Sequence, residues 1–424
     1  MSLMRTRRWP ILAVVLALAV AAVAVGARAS RTSAATSGQG NAVTDWNEIA
    51  QNAIVVSRPT ASALVLEGIV QAAVYDAVVG IEGGYQPFVA SPTVPRPAST
   101  AAAVAAAARG VLVARVPGQA ASVDAQYAAY LATIPDGAAK VNGITVGEEV
   151  AQAILAWRAG DGFDNVVAYV QPPPGPGVFE PVAPTTPVDV KLKQVLPLTL
   201  RSNSQFRPDG PNPLTSAEYA EDFDEVKAYG RADSAVRTPE QTEVARFWAE
   251  NAAVQSPRAL RALAIARGLG LAETARMLAL VHVAGADALL ACFDAKYHYL
   301  FWRPVHAIQR ADTDGNPATV PDQTWRSLLT VNHPEYPSAH ACWTTSMTET
   351  LAAFFGIDKV ALSMDSTVTG TTRYYTNLNK LAKEVYDARV WAGLHFRNST
   401  TEGAWIGRKV ARYVVANFFQ PTGA

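Results

Sequence analysis

Lys296-Tyr-His-Tyr-Leu-Phe-Trp-Arg-Pro304 sets a lysine and an arginine seven residues apart in a run otherwise dominated by aromatic and apolar side chains. Seven residues are two helical turns, so helical spacing puts Lys296 and Arg303 on one face, with Pro304 expected to stop the helix. A helix carrying Lys and Arg is usually a solvated face. Here Tyr297, Tyr299, Leu300, Phe301 and Trp302 make the segment too apolar to be solvated all round. Buried cations need an anion, because an unpaired buried charge costs several kcal/mol.

Two further stretches extend the pattern. In Pro337-Ser-Ala-His340, Ser338 precedes the helix-like run Ala339–Phe355 and reads as its N-cap. The positive end of that helix makes an anion site, at which the Ser338 hydroxyl and the Ala339 N–H can point, with His340 facing the same spot. In Arg389-Val-Trp-Ala-Gly-Leu-His395, an arginine and a histidine lie six residues apart on or near one helix. At their motif positions the three stretches together supply one lysine, two arginines, one serine and two histidines, an inventory suited to a tetrahedral or trigonal-bipyramidal oxyanion. All six histidines (282, 298, 306, 333, 340 and 395) fall in the last third of the chain, so no second cluster of this kind is expected earlier.

The order K-x6-R-P, then P-S-[G/A]-H, then R-x5-H resembles the superfamily of vanadium-dependent haloperoxidases and type 2 phosphatidic acid phosphatases. The runs around the motifs, and TDWNEIA and YDAVVGIEGGYQPF in the N-terminal half, are similar to secreted bacterial haloperoxidase-type proteins, from about Val43 to near the C-terminus. The resemblance implies a vanadate cofactor bonded to His395 and held by Lys296, Arg303, Ser338, the Ala339 N–H and Arg389. Hydrogen peroxide and a halide would be the substrates, small organic molecules the acceptors, His340 the general base, and Lys296 the group polarising peroxide. In a phosphatase the same imidazole of His395 would attack phosphorus, so an exported acid phosphatase is the alternative reading. His333, seven residues before His340, resembles the bromoperoxidase arrangement and is expected to act beside the cofactor, favouring bromide; His298 and His306 are read as structural. Two departures stand out. Ala339 replaces the usual glycine, and Ser399 stands where phosphatases often carry the Asp that orients the final histidine, which implies a less basic imidazole.

Arg5, Arg7 and Arg8, an apolar run from Pro10 to Gly26, and Ala27-Arg28-Ala29 describe a signal peptide over residues 1–29, hence a secreted or extracytoplasmic protein. No later charge-free stretch is expected to span a membrane, so no membrane association is expected after cleavage. The chain balances 36 basic against 36 acidic side chains; loss of residues 1–29 removes four arginines and leaves 32 against 36, which argues against nucleic acid. Cys292 and Cys342 are expected to be free, buried thiols near the pocket, and the Cys and His spacing argues against zinc.

Alanine-rich runs such as Ala101–Ala114 and the lack of alternating segments make the fold class all-α. Thr238-Pro-Glu-Gln241 is a strong helix start. The expected organisation is a helical domain at 43–161, a proline-rich connecting loop at 162–213 and a second helical domain at 214–420, with no internal repeat visible. The resemblance implies two packed four-helix bundles, and allows a homo-oligomer.

Overall fold

The computed structural model describes residues 40–181 and 186–423. The signal peptide proposed at 1–29 lies outside them. The described residues are mostly helical, as expected. Helix α1 (Ala42–Val55) opens on a capping box in which the Asn41 side chain accepts from the amides of Val43 and Thr44. It is followed by α2 (Thr60–Glu82), α3 (Thr100–Arg115), α4 (Ala120–Ala132) and α5 (Ala138–Trp157). After the proline-rich segment come α6 (Ala217–Tyr229), α7 (Pro239–Phe247), α8 (Ala252–Ala266), α9 (Leu271–Tyr299), α10 (Pro304–Gln309) and α11 (Ala339–Phe355). Strands β1 (Leu362–Ser366) and β2 (Thr371–Tyr375) precede α12 (Leu378–Trp391) and α13 (Arg397–Asn417). The start of α7 is the expected one: Thr238 and Gln241 cap each other's backbone amides and Pro239 takes the first turn.

The antiparallel β1–β2 hairpin is the only sheet among the described residues, and the sequence reading did not anticipate it. Each strand is five residues long, and only β1 alternates buried with half-buried positions, so the period-two signal is too short to see.

Helices α2 and α9 are, by length and composition, apolar enough to cross a membrane, although neither is charge-free: Glu67 and Asp76 interrupt α2, and Asp287 interrupts α9. Their apolar surface is used internally: 94% of each window is buried inside the protein. The two helices pack on each other at Gly68, where a Cβ would lie 2.9 Å from both the Ala286 Cβ and the His282 carbonyl oxygen, so only glycine allows this approach.

A repeat absent from the sequence reading appears in the packing. Ser99 caps α3 and donates its amide to the Ala139 carbonyl of α5 at 2.8 Å, while Gly143 and Gly147 of α5 lie against the Ser99 and Ala103 carbonyls. Ser338 caps α11 and donates its amide to the Ser399 carbonyl of α13 at 2.9 Å, while Gly403 and Gly407 lie against the Ser338 and Cys342 carbonyls. Both helix pairs thus cross on two glycines one turn apart. Two residues after the capping serine, the first pair has Ala101 and the second has His340.

The described parts of the proline-rich segment, 162–181 and 186–213, carry two short 3-10 turns, Val190–Gln194 and Asn203–Phe206. The segment is anchored by the buried Asp287 of α9, whose carboxylate accepts from the amides of Leu198, Thr199 and Leu200.

Candidate active site

Lys296 and Arg303 do not share one helix. Arg303 precedes a proline, which disfavours helical backbone for it, and it sits extended (φ −78, ψ 154) as the N-cap of α10. Helix α9 ends at Tyr299 because Leu300 turns left-handed (φ 49), and Pro304 starts the next helix rather than stopping this one. The proline-rich loop holds the turn: Phe179 donates to the Leu300 carbonyl at 2.6 Å and Trp302 donates to the Gly177 carbonyl at 2.9 Å. The two cations nevertheless converge. Lys296 Nζ donates to the carbonyls of Pro334 (2.8 Å) and Glu335 (3.1 Å), and Arg303 reaches those of His333, Pro334 and Leu394.

Ser338 is the N-cap of α11, its hydroxyl accepting from the Ala341 amide at 3.4 Å. Ala339 keeps a negative φ in place of the glycine, so the first-turn geometry survives. Arg389, in the last turn of α12, donates Nη1 to the Trp248 carbonyl at 2.9 Å, while its buried Nε has no hydrogen-bond partner. His395 follows in the loop before α13, with Nε2 3.3 Å from Arg303 Nη1.

Glu335 is the functional residue that the sequence reading missed. Its Oε1 lies 2.9 Å from His395 Nδ1 and accepts from the Phe396 amide at 2.9 Å; its Oε2 accepts from the Ser399 hydroxyl at 2.5 Å. The expectation that His395 has only a weak orienting partner is thereby corrected. A carboxylate does orient His395, delivered from the loop before α11, and Ser399 positions that carboxylate instead of replacing it. The only signal available in the sequence was an acid three residues before the Ser338 motif.

Burial dominates the electrostatics. It lowers Lys296 to about 8, Arg389 to about 9 and Arg303 to about 10, with Arg303 adding to the effect on the other two. Burial also raises Glu335 to about 7, against the pull of Arg303. His340, His395 and His333 are held well below the usual imidazole range, first by burial and then by these cations. Lys296 and Arg303 therefore share one carboxylate, and the unpartnered Nε of the third buried cation, Arg389, adds a donor without an acceptor. The donor set is that of an oxyanion site.

His333 is brought to the site: Arg303 Nη2 lies 2.9 Å from its Nδ1, which then accepts, leaving the proton on Nε2. His298 is exposed and packs edge-on against Tyr299, and neither it nor the half-buried His306 joins the cluster. Cys292 and Cys342 are free and buried, as expected, with Cys292 Sγ 3.6 Å from the Pro337 carbonyl. A cavity of about 510 Å³ opens beside the cluster, with Ala339, His340, His333 and Arg389 in its lining.

Residues 276–422 match the family model of the VCPO second helical-bundle domain. That match is consistent with the superfamily of vanadium-dependent haloperoxidases and type 2 phosphatidic acid phosphatases. Solved structures agree with it at the level of fold. A bacterial vanadium-dependent iodoperoxidase superposes with a TM-score of 0.73 at 20% identity, covering 90% of this chain and 95% of that one. A bacterial vanadium-dependent chloroperoxidase in its apo form gives 0.68 at 16% identity, covering 83% and 92%. A holo form of such a chloroperoxidase gives 0.68 at 15%, covering 90% and 94%. No curated protein matches the chain.

Proposed function

We propose that this protein is an exported vanadate-dependent haloperoxidase that oxidises halide with hydrogen peroxide. The carrying observation is the His395 imidazole: Nδ1 is tied to Glu335, so the Nε2 lone pair is presented among Lys296, Arg303 and Arg389. The residues fit vanadate, since an orphaned guanidinium N–H and an excess of buried positive charge call for a trigonal or tetrahedral oxyanion. His395 Nε2 would bond the metal, with Lys296, Arg303, Arg389, the Ser338 hydroxyl and the Ala339 N–H on its oxygens. When bound, vanadate supplies a Lewis acid that activates peroxide without changing oxidation state. His340, neutral and lining the cavity, takes the proton from incoming hydrogen peroxide at a ring nitrogen. Lys296, whose ammonium is held by the Pro334 and Glu335 carbonyls, would donate to the oxyanion's oxygens and polarise them. His333, fixed by Arg303, tunes the proton and halide steps and favours bromide. The neighbours' names support the haloperoxidase reading over its rival. The test is a bromide- and peroxide-dependent assay on apo protein with and without orthovanadate. No stimulation from acid to neutral pH sinks the proposal.

One observation favours the phosphatase reading more than the sequence did. The Glu335–His395 pair also suits an imidazole that attacks phosphorus. Release of phosphate from an aryl phosphate, with phosphate trapped on His395, would reverse the ranking.

A further inference from the structure

The chain has two cysteines, and the fold brings them into contact. Cys292 stands one turn before Lys296 on α9; Cys342 stands one turn after Ser338 on α11, its amide donating to the Ser338 carbonyl at 3.0 Å. Both thiols are fully buried and free. The Cys342 S–H donates to the Cys292 sulfur, and the Cys292 S–H donates in turn to the Pro337 carbonyl at 3.6 Å. This chain of thiols joins α9 to the start of α11, between the lysine and the capping serine of the oxyanion site. A buried cysteine alone is a small, inert hydrophobe; two in contact on separate helices are the arrangement that an oxidant closes into a disulfide.

The two thiols differ in character. Burial opposes ionisation of Cys292, yet the hydrogen bond from Cys342 and the charges of Lys296 and Arg303 outweigh it and pull that thiol below its ordinary value. Burial and the same hydrogen bond hold Cys342 well above it. Cys292 is thus the more nucleophilic sulfur and Cys342 the resolving one. Helix α11 also crosses α13 closely, at Gly403 and Gly407, where a Cβ would strike the Ser338 and Cys342 carbonyls. It is therefore already in backbone contact at Cys342, with no slack to take up a shorter contact to α9 unless its first turn shifts. That turn, residues 338–341, carries the donors proposed for the oxyanion, and Ala339 and His340 within it line the cavity through which peroxide would arrive.

We infer that hydrogen peroxide joins Cys292 and Cys342 in a reversible disulfide that weakens oxyanion binding by the site beside them. The inference rests on the oxyanion site, which the haloperoxidase and phosphatase readings share, and adds a redox control to it. The balance is 2 RSH + H2O2 giving RSSR + 2 H2O. The Cys292 sulfur attacks one peroxide oxygen, the O–O bond breaks, and the products are a sulfenic acid and water. The Cys342 sulfur then displaces the sulfenic hydroxyl as a second water, and the S–S bond forms. The two thiols lose two electrons to the peroxide, and their protons leave in the waters. A covalent S–S bond is much shorter than a hydrogen-bonded contact of two sulfurs. Closing it draws the first turn of α11 toward α9 and takes the thiol donor from the carbonyl of Pro337, the residue before Ser338. Binding groups must hold their geometry within roughly 0.5 Å, so the Ser338 and Ala339 donors no longer fit the oxyanion.

The experiment uses the full chain, reduced with dithiothreitol and then treated with hydrogen peroxide in the absence of vanadate and halide. Alkylation under denaturing conditions and peptide mass mapping should recover a linked Cys292–Cys342 peptide and no free thiol, and dithiothreitol should restore both thiols. Calorimetric titration with inorganic phosphate should show binding roughly tenfold or more weaker in the oxidised protein, the loss typical when groups supporting a site are disturbed, with recovery on re-reduction. Cys292→Ser and Cys342→Ser should bind phosphate as the reduced parent does and keep that affinity through peroxide treatment. Absence of the linked peptide, or its presence with unchanged phosphate affinity, overturns the inference and leaves the oxyanion site standing. An equal loss of affinity in peroxide-treated Cys292→Ser places the oxidation elsewhere and overturns the inference too. Reduced protein that binds no phosphate overturns the oxyanion reading of the site, and the switch with it.

Discussion

Glu335 Oε1 lies 2.9 Å from His395 Nδ1, across a separation of 60 residues in the chain. The contact holds the imidazole proton on Nδ1 and leaves Nε2 as a lone pair beside Arg303. Glu335→Gln keeps an acceptor but removes the charge that makes the ring basic. Such a change behind a metal-bound histidine typically costs about 10–100-fold in affinity or activity, and vanadate affinity is expected to fall by that factor. Equilibrium dialysis of vanadate against the two proteins checks it; equal affinities would show that the carboxylate only shapes the loop.

Lys296 sets a pH limit on oxyanion binding. Burial lowers it to about 8, so the free site loses a positive charge as pH rises through that value. A bound oxyanion favours the charged form, so binding between about pH 8 and 9, below the range in which Arg389 and Arg303 lose their protons, must take up a proton, and affinity should fall by about tenfold over that unit. Phosphate titrations between about pH 7 and 9, in buffers of different ionisation enthalpy, read both effects. Constant affinity with no proton uptake would place Lys296 outside the site.

The two histidines of the motifs should separate cleanly. His340→Ala is expected to bind vanadate but lose most peroxide turnover, because it removes the base and none of the metal's bonds. His395→Ala should bind vanadate far more weakly, since it removes the proposed bond to the metal. Equal vanadate affinity in the two variants would mean that the roles are exchanged or wrong.

His333→Phe removes the ring that Arg303 holds at 2.9 Å while keeping an aromatic body against Phe293. Steady-state rates with bromide and chloride are expected to show a higher relative chloride rate or a displaced pH optimum. An unchanged ratio and profile would reduce His333 to a loop residue that braces Arg303.

The glycine crossings offer a paired control. At Gly403 a Cβ would lie 2.5 Å from the Ser338 carbonyl, and at Gly143 it would lie 2.3 Å from the Ser99 carbonyl. Alanine at either position should cost about 1–3 kcal/mol by overpacking, read as a lower Tm. Gly403→Ala should also weaken oxyanion binding, because it pushes on the capping serine of the site. Gly143→Ala should leave that affinity unchanged, since its serine caps a helix far from the cations.

Local chemistry was legible in the sequence wherever the signal lies within a few residues. The helical class followed from composition and the absence of alternation, the start of α7 from Thr238-Pro-Glu-Gln, and the cap of α11 from Ser338 ahead of an apolar run. The candidate cations and imidazoles were legible too, because Lys and Arg set in aromatic sequence must find an anion. Only the tertiary structure decided how they meet. Arg303 lies outside α9 because Leu300 ends that helix and Pro304 disfavours helical backbone at the residue before it, and the second of these was readable in principle from one dipeptide. Glu335 was not readable, since its partnership with His395 and Ser399 depends on α11 and α13 crossing at Gly403 and Gly407. The repeat of that crossing at Gly143 and Gly147 was equally invisible: each pair of helices needs small residues one turn apart, and this constraint leaves nearly every other side chain free to differ. Motif chemistry is local and survives in sequence, whereas the geometry that makes it a site is set by long-range packing.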